Sequence, residues 1–159
     1  ATVVNGEGPF RYQDSESLFQ YCFNAEYRPK EHLIFKAYGD YQPHASGFTK
    51  DRSAMSVFAG YKKGRWMAGA EYDMVLNNSY IDGSDLSGIS VYGSFKTGEK
   101  TTVFARADYL LQYGNIENEG YFMAGAEYRP VPALGFAVSI KRNTWLNTFM
   151  PGLNAGIRF

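Results

Sequence analysis

One histidine of this chain stands among residue types that can carry out acyl-transfer chemistry. His44 lies in the segment Pro43-His-Ala-Ser46, between Asp40 and Asp51. A histidine that takes the proton of a serine, and is itself oriented by a carboxylate, activates that serine as a nucleophile. The same residue types are ordinary in polar loops, and the other histidine, His32, falls in a short turn. We therefore expect a loop here and no catalytic residues, and we expect that the protein is not an enzyme.

Metal-binding and cofactor-binding patterns are sparse. The carboxylates of Asp82-Gly-Ser-Asp85 are the kind of oxygen ligand that calcium takes, but a polar turn is the interpretation we favour. The sequence shows no Cys and His cluster with zinc-ligand spacing and no Gly-rich nucleotide loop. We expect no metal and no cofactor. Cys22, the single cysteine, is expected to be a small filler without an intrachain disulfide.

Ionic side chains recur at alternate positions of several segments. The set contains seven cations and six anions, so it predicts neither anion nor cation selectivity: Arg28, Lys36, Arg65, Arg106, Arg129, Lys141 and Arg158, with Glu26, Asp40, Glu71, Asp73, Asp108 and Glu127. Small residues such as Gly60, Gly69 and Gly125 share these positions with large rings such as Phe58 and Tyr92. The small residues favour a wide lumen, whereas the rings could plug a narrow one.

Strands are the elements that would position these side chains. Apolar residues occupy every second position in nine runs, and none of those apolar positions is charged: 19–27, 33–41, 55–61, 66–76, 89–95, 103–111, 122–128, 134–140 and 153–159. Period-two alternation predicts strands with one apolar and one polar face. In a soluble sheet the apolar face would be the core, and in a membrane barrel it would meet lipid while the charged face lined a lumen.

The spacing of the connections separates these two cases. Short connections at 28–31, 62–65, 96–100 and 129–132 alternate with longer ones at 43–52, 77–85, 112–119 and 143–149. Outer-membrane barrels have short turns on one side and longer loops on the other, and aromatic residues at both rims. The sequence therefore predicts an all-β, transmembrane antiparallel up-and-down β-barrel with about nine strands. Residues 16–159 would form it, and residues 1–15 would be an N-terminal loop or irregular segment.

Composition limits the partners, and the strand count leaves two architectures open. The chain has 159 residues with 16 basic and 16 acidic side chains, which argues against nucleic acid as a partner. Single-chain bacterial barrels have an even number of strands. Nine strands would fit the C-terminal portion of a larger barrel, which we favour. The alternative is a complete barrel of about 8 to 10 strands with an irregular N-terminal strand.

The last strand resembles the closing strand of Gram-negative outer-membrane β-barrel proteins. It presents Leu153 and Ile157 at alternate positions and ends on Phe159. In that family the terminal aromatic strand is read by the barrel-assembly machinery, so the resemblance implies that these residues form an assembly signal. It also implies location in the bacterial outer membrane as a multi-pass β-barrel, with the lipid bilayer and lipopolysaccharide as surroundings.

The hairpin at 89–110 resembles a late hairpin of Gram-negative porins, most closely of the phosphate-selective type. This porin-like resemblance implies transport by passive diffusion of small hydrophilic solutes, in a barrel completed by an oligomer or a second chain. An arginine-rich constriction segment is missing from the sequence, so anion selectivity is not implied. Two other functions stay open: a small closed structural or interaction barrel, with partner contacts at loops 43–52 and 77–85, and a lipid-modifying barrel enzyme that depends on His44.

Overall fold

Ten strands, joined in sequence order, form a single antiparallel sheet. The computed structural model describes residues 1–5, 19–44, 47–112, 119–144 and 146–157. Each strand pairs with the next one along the chain, which confirms the all-β, up-and-down prediction. The strands are β1 Thr2–Asn5, β2 Phe19–Lys30, β3 Leu33–Gln42, β4 Arg52–Lys63, β5 Trp66–Leu76, β6 Leu86–Lys96, β7 Thr101–Gln112, β8 Glu119–Val131, β9 Leu134–Asn143 and β10 Thr148–Ile157.

The structure has ten strands where about nine are predicted, and the additional strand, β1, lies in the N-terminal segment for which the alternative architecture expects an irregular strand. This strand pairs with the first residues of β2, from Thr2 opposite Cys22 to Asn5 opposite Phe19. It covers only four residues, too few for alternation to be recognised, and its pairing partner rather than its own pattern makes it a strand. Thr2–Asn5 thus form a short strand within the segment 1–15 that is predicted to be a loop or irregular, and residues 6–15 lie outside the described part of the chain.

The four short turns lie where the sequence predicts them, and they are tighter than predicted. Three of them contain two residues: 31–32, 64–65 and 132–133. The strands continue into the predicted turns, so Pro29 and Pro130 lie inside β2 and β8. Both prolines sit in a register shift, between Tyr27 and Lys30 in one strand and between Tyr128 and Val131 in the other. A proline lacks the N–H that a ladder needs, so a bulge accommodates it.

The connections at the opposite end are less uniform than predicted. Residues 43–51 and 77–85 form long loops, and the third connection, 113–118, lies outside the described residues. The last connection, 144–147, is no longer than the short turn at 97–100, so strict alternation of short and long connections is wrong at this point. Asn147 has a φ of 48°, and the Asn143 side chain accepts a bond from the Leu146 amide at 3.1 Å. Both features lie in the connection where the chain reverses direction, and β9 and β10 pair from Asn143 and Thr148 onward.

The two faces of the sheet are segregated as the alternation predicts. One register row runs through Ala25, Ala37, Val57, Tyr72, Ile89 and Tyr109, and neighbouring rows keep the same parity. A slip of one residue at any of these ladders would exchange the faces. We call these sides the apolar face and the polar face, and the two edges the short-turn end and the long-loop end.

The apolar face is not covered by anything else in the described chain. No apolar side chain of the described residues is buried, and large ones such as Trp66 and Leu153 are 60% and 78% exposed. The edges of the sheet are also open, since β1 and β10 each have one neighbour. The strands therefore form an extended two-faced sheet without a hydrophobic core of its own.

Candidate functional site

The polar face carries most of the predicted ionic residues, and strand geometry brings them into ion pairs. Glu26 on β2 lies directly opposite Lys36 on β3, and the two side chains meet at 3.3 Å between Oε2 and Nζ. Arg28, two residues along the same face, reaches Glu26 Oε1 with Nε at 2.6 Å. Side chains at i and i+2 of a strand share a face, so the contact of Arg28 with Glu26 follows from the local sequence. The contact of Lys36 with Glu26 depends on the register of β2 with β3.

The same arrangement recurs on two other strands. On β8, Arg129 donates to Glu127 at 2.8 Å. These two residues belong to Gly125-Ala-Glu-Tyr-Arg-Pro130, which is nearly identical to Asn24-Ala-Glu-Tyr-Arg-Pro29 on β2. On β7, Arg106 Nε lies 2.8 Å from each oxygen of Asp108, which also accepts a bond from the Ser90 hydroxyl. The carboxylates of Glu26, Asp108 and Glu127 are therefore each paired with a cation two residues away on the same strand.

Asp40 is the most buried ionic residue of this face. Its side chain is 4% exposed and lies 3.1 Å from Arg52 Nη1, and it accepts a bond from the Tyr38 hydroxyl at 3.0 Å. The sequence pattern predicts a loop over 43–52, which includes Arg52, and so does not predict this ion pair. Arg52 precedes Ala54 and Ser56 at alternate positions of β4, so it shares their side of the strand, which is the polar face.

The remaining predicted residues are distributed as follows. Glu71 accepts a bond from Ser56 at 3.2 Å, and Asp73 and Lys141 also lie on the polar face. Arg65 lies in the two-residue turn between β4 and β5, at the end of the predicted short connection 62–65. Leu153 and Ile157 lie on the apolar face of β10, opposite Val138 and Leu134. Arg158 and Phe159 lie outside the described residues.

Aromatic rings and glycines complement each other on the polar face. The rings of Phe58 and Tyr92 are nearly parallel, with centroids 6.4 Å apart and planes 16° apart. A Cβ at Gly60 would lie 2.8 Å from the Phe58 ring, and one at Gly69 would lie 2.8 Å from the Tyr92 ring. The large and small residues that the sequence places on this face are therefore mutually dependent, because each ring occupies space that a Cβ on the neighbouring glycine would need.

A cavity opens beside these two rings. Its volume is about 340 Å³, and its lining residues come from five strands: Asn24, Lys36, Tyr38, Ser56, Phe58, Glu71 and Tyr92. It combines a flat aromatic surface with amide, hydroxyl, ammonium and carboxylate groups. Arg106 lies over the Tyr92 ring, with its guanidinium carbon 6.0 Å from the centroid.

At the long-loop end, His44 is bonded to Asp51 within the loop 43–51. His44 Nδ1 lies 2.6 Å from Asp51 Oδ1, and the His44 amide donates to the same oxygen at 3.0 Å. The Tyr41 hydroxyl donates to the other oxygen, and bonds from Tyr41 and His44 lower the pKa of Asp51 to about 2. The nucleophile of the hypothetical triad, Ser46, lies outside the described residues, and Asp40 is engaged with Arg52 instead.

The two long loops are tied to each other. The Asn77 side chain donates to the Asp51 carbonyl at 2.9 Å, and the Asp85 carboxylate accepts a bond from the Asn77 amide. Lys50 and Asp82 form an ion pair at 3.7 Å. Asp82 and Asp85, the carboxylates considered for calcium, thus form contacts with other loop residues. Within the described ranges no cluster of three or more His, Cys, Asp or Glu side chains could hold a metal.

Comparison with known proteins identifies no relative: neither protein-family models, nor curated proteins, nor solved structures give a match to this chain. In the described part of the chain, no helix has the length and apolar character needed to span a membrane.

Proposed function

We propose that the chain is part of a transmembrane β-barrel of the Gram-negative outer membrane and acts as a porin-like channel for passive diffusion of small hydrophilic solutes. The exposed apolar face supports this proposal most strongly. A soluble monomer rarely exposes a contiguous apolar patch of more than a few hundred Å². Here large apolar side chains are exposed along the apolar face of every strand from β2 to β10, and the ionic side chains away from the strand ends lie on the polar face.

Strand length agrees with a membrane span. From β2 to β10 the strands contain 10 to 13 residues. A tilted strand needs about 9 to 11 residues to cross the hydrocarbon layer. Each strand from β2 to β10 is therefore long enough to cross the hydrocarbon layer of a membrane.

Aromatic residues mark both ends of the apolar face. At the short-turn end the rings of Trp66 and Phe95 lie 4.4 Å apart, and at the long-loop end those of Tyr21 and Tyr41 lie 6.5 Å apart. Amphipathic rings of this kind belong at the headgroup level of a membrane. Arg142, a cation on the apolar face, lies near the long-loop end, where a charge would reach the interface.

The open edges require a completing strand. An unpaired sheet edge is not tolerated in hydrocarbon, because its N–H and C=O groups would have no partner. β2 and β10 both run from the long-loop end to the short-turn end, so they could pair directly only as parallel strands. β1 runs the opposite way but covers only Phe19–Cys22 of β2. We propose that further strands, from the same polypeptide or from a second chain, complete the barrel.

A larger barrel also fits the polar face. Barrels with about 16 to 18 strands enclose an aqueous channel, whereas about eight strands enclose only side chains. The paired cations and anions of the polar face would then be the wall of a wet pore. The lipid bilayer, lipopolysaccharide and the barrel-assembly machinery would be the partners of the assembled protein, and Leu153, Ile157 and Phe159 its assembly signal.

The experiment that tests this function combines membrane isolation with conductance. The native protein is extracted from outer membranes, its denatured mass is measured, and the folded form is inserted into planar lipid bilayers. We expect a mass above 17.9 kDa, or a co-purifying second barrel chain, together with stepwise conductance. Membrane insertion without conductance would support the closed structural barrel. Recovery of the folded protein from the water-soluble fraction would contradict the membrane assignment.

A further inference from the structure

The cavity beside Phe58 and Tyr92 has the chemistry of a solute subsite. Each ring packs against a glycine, since a Cβ at Gly60 or Gly69 would lie 2.8 Å from the ring of Phe58 or Tyr92. The rings are nearly parallel, with planes 16° apart, and both line the cavity. The two rings, which we call the aromatic platform, form the apolar part of the cavity lining, and Arg106 lies over the Tyr92 ring.

The polar groups around the platform are balanced in charge. The cavity contains one cation, Lys36, and one anion, Glu71. Lys36 is already paired with Glu26 at 3.3 Å, and Glu71 accepts a bond from Ser56 at 3.2 Å. A phosphate or another small anion would find no excess of positive charge, and a small cation would find no excess of negative charge.

The hydrogen-bonding groups outnumber the charges. Asn24, Tyr38 and Ser56 add amide and hydroxyl groups to the ammonium and the carboxylate, so donors and acceptors surround the aromatic platform. A ligand that matches this arrangement has a flat apolar side and a rim of groups that both donate and accept. A pyranose sugar has these properties, since its ring C–H groups form the flat side and its hydroxyls form the rim.

We infer that this cavity is a subsite for a neutral pyranose sugar. The inference rests on the proposed channel, because a sugar reaches the polar face of a membrane protein only through a water-filled lumen. The cavity volume of about 340 Å³ lies within the range of small-molecule sites. The subsite would favour the entry of sugars over that of other solutes of similar size.

The test measures sugar binding separately from conductance. Methyl α-glucoside is added to the detergent-folded native protein, and saturation-transfer NMR records both its dissociation constant and which of its protons approach the protein. We expect the strongest transfer to the ring C–H protons. Phe58→Ala is expected to weaken binding about tenfold, because the aromatic platform is lost.

Phe104→Ala is the matched control. Phe104 also lies on the polar face over a glycine, since a Cβ at Gly125 would lie 2.6 Å from its ring, but it does not line the cavity. Both variants remove a ring from a glycine, so a general loss of folding would affect them alike. We expect Phe104→Ala to bind the glucoside within about twofold of the unmodified protein, which is within the effect of an uninvolved surface change.

Several outcomes would overturn the sugar subsite. These are a folded, conducting protein without saturation transfer, an equal loss in both variants, or displacement of the glucoside by inorganic phosphate or glycine at lower concentration. The first of these would leave the channel function intact. Glucoside binding that depends on Phe58, in a protein without conductance, would instead contradict the channel and keep the subsite.

Discussion

Placing one positive charge at the middle of the apolar face should destabilise the protein in a membrane and have little effect in water. Val91 lies near the centre of β6, is 51% exposed, and has the small residues Ala70 and Ala107 as its register partners. An arginine side chain at this position therefore has space. In water, Val91→Arg should change the free energy of unfolding by less than about 0.5 kcal/mol. At the midplane of a bilayer, an arginine costs about 2 to 4 kcal/mol.

Val131 provides a matched control at the rim. It is 52% exposed and lies at the short-turn end of β8, next to the turn at 132–133. Near the membrane interface an outward arginine costs about 0 to 1 kcal/mol. Val131→Arg is thus the same substitution at the same exposure, and it differs from Val91→Arg in its depth.

Reversible urea unfolding from lipid vesicles, followed by tryptophan fluorescence, measures both variants. We expect the equilibrium constant for unfolding to rise about 30-fold to 1,000-fold for Val91→Arg. Val131→Arg is expected to change it less than about sixfold. Losses below about 0.5 kcal/mol in both variants would refute the membrane assignment of the apolar face, since that is the behaviour of a water-exposed site. Equal large losses would show that the substitutions disturb the sheet itself.

Three further predictions concern particular contacts. The pKa of Asp51 is lowered to about 2 from an ordinary value of 3.8, so the loop contacts should be fully stabilising above pH 4 and should weaken as the pH falls through 2. Amide hydrogen exchange of loop 43–51, compared above pH 4 and near pH 2, checks this, and Asp51→Asn should remove the dependence of the loop's stability on pH. Arg52→Met should destabilise the protein by about 3 to 5 kcal/mol in urea unfolding, because it leaves the Asp40 carboxylate buried without its cation, and adding Asp40→Asn should restore much of the loss. Gly125→Ala should cost about 1 to 3 kcal/mol, because its Cβ would meet the Val138 carbonyl, whereas Gly156→Ala, with open space around it, should be nearly neutral.

The two faces of the sheet could be predicted because alternation is a local property. Any stretch such as 103–111 shows the parity of its own side chains, and the register of neighbouring strands then preserves it. The pairing of Glu26 with Arg28 is equally local, since two residues on one face are neighbours. The transmembrane location, the channel and the assembly signal remain predictions.

The parts that the sequence did not reveal depend on contacts between distant residues. β1 is a strand because β2 offers it an edge, and four residues carry no visible pattern of their own. Arg52 was separated from Asp40 by a loop, so their ion pair required the register of β3 with β4. The cavity needs the Tyr92 ring to lie over Gly69, and that depends on a side-chain conformation which spacing along the chain does not determine.

The sequential strand order has a consequence for how such a chain could change size. Each described strand pairs only with its neighbours along the sequence, so a hairpin of two strands can be added or removed without altering the pairing of the other strands. The matching segments at 24–29 and 125–130 have the same bulge and the same ion pair, and they end strands that run in the same direction, separated by whole hairpins. Duplication of hairpin units would leave copies with this spacing. The sheet is therefore a modular array whose width is set by the number of hairpins in the chain.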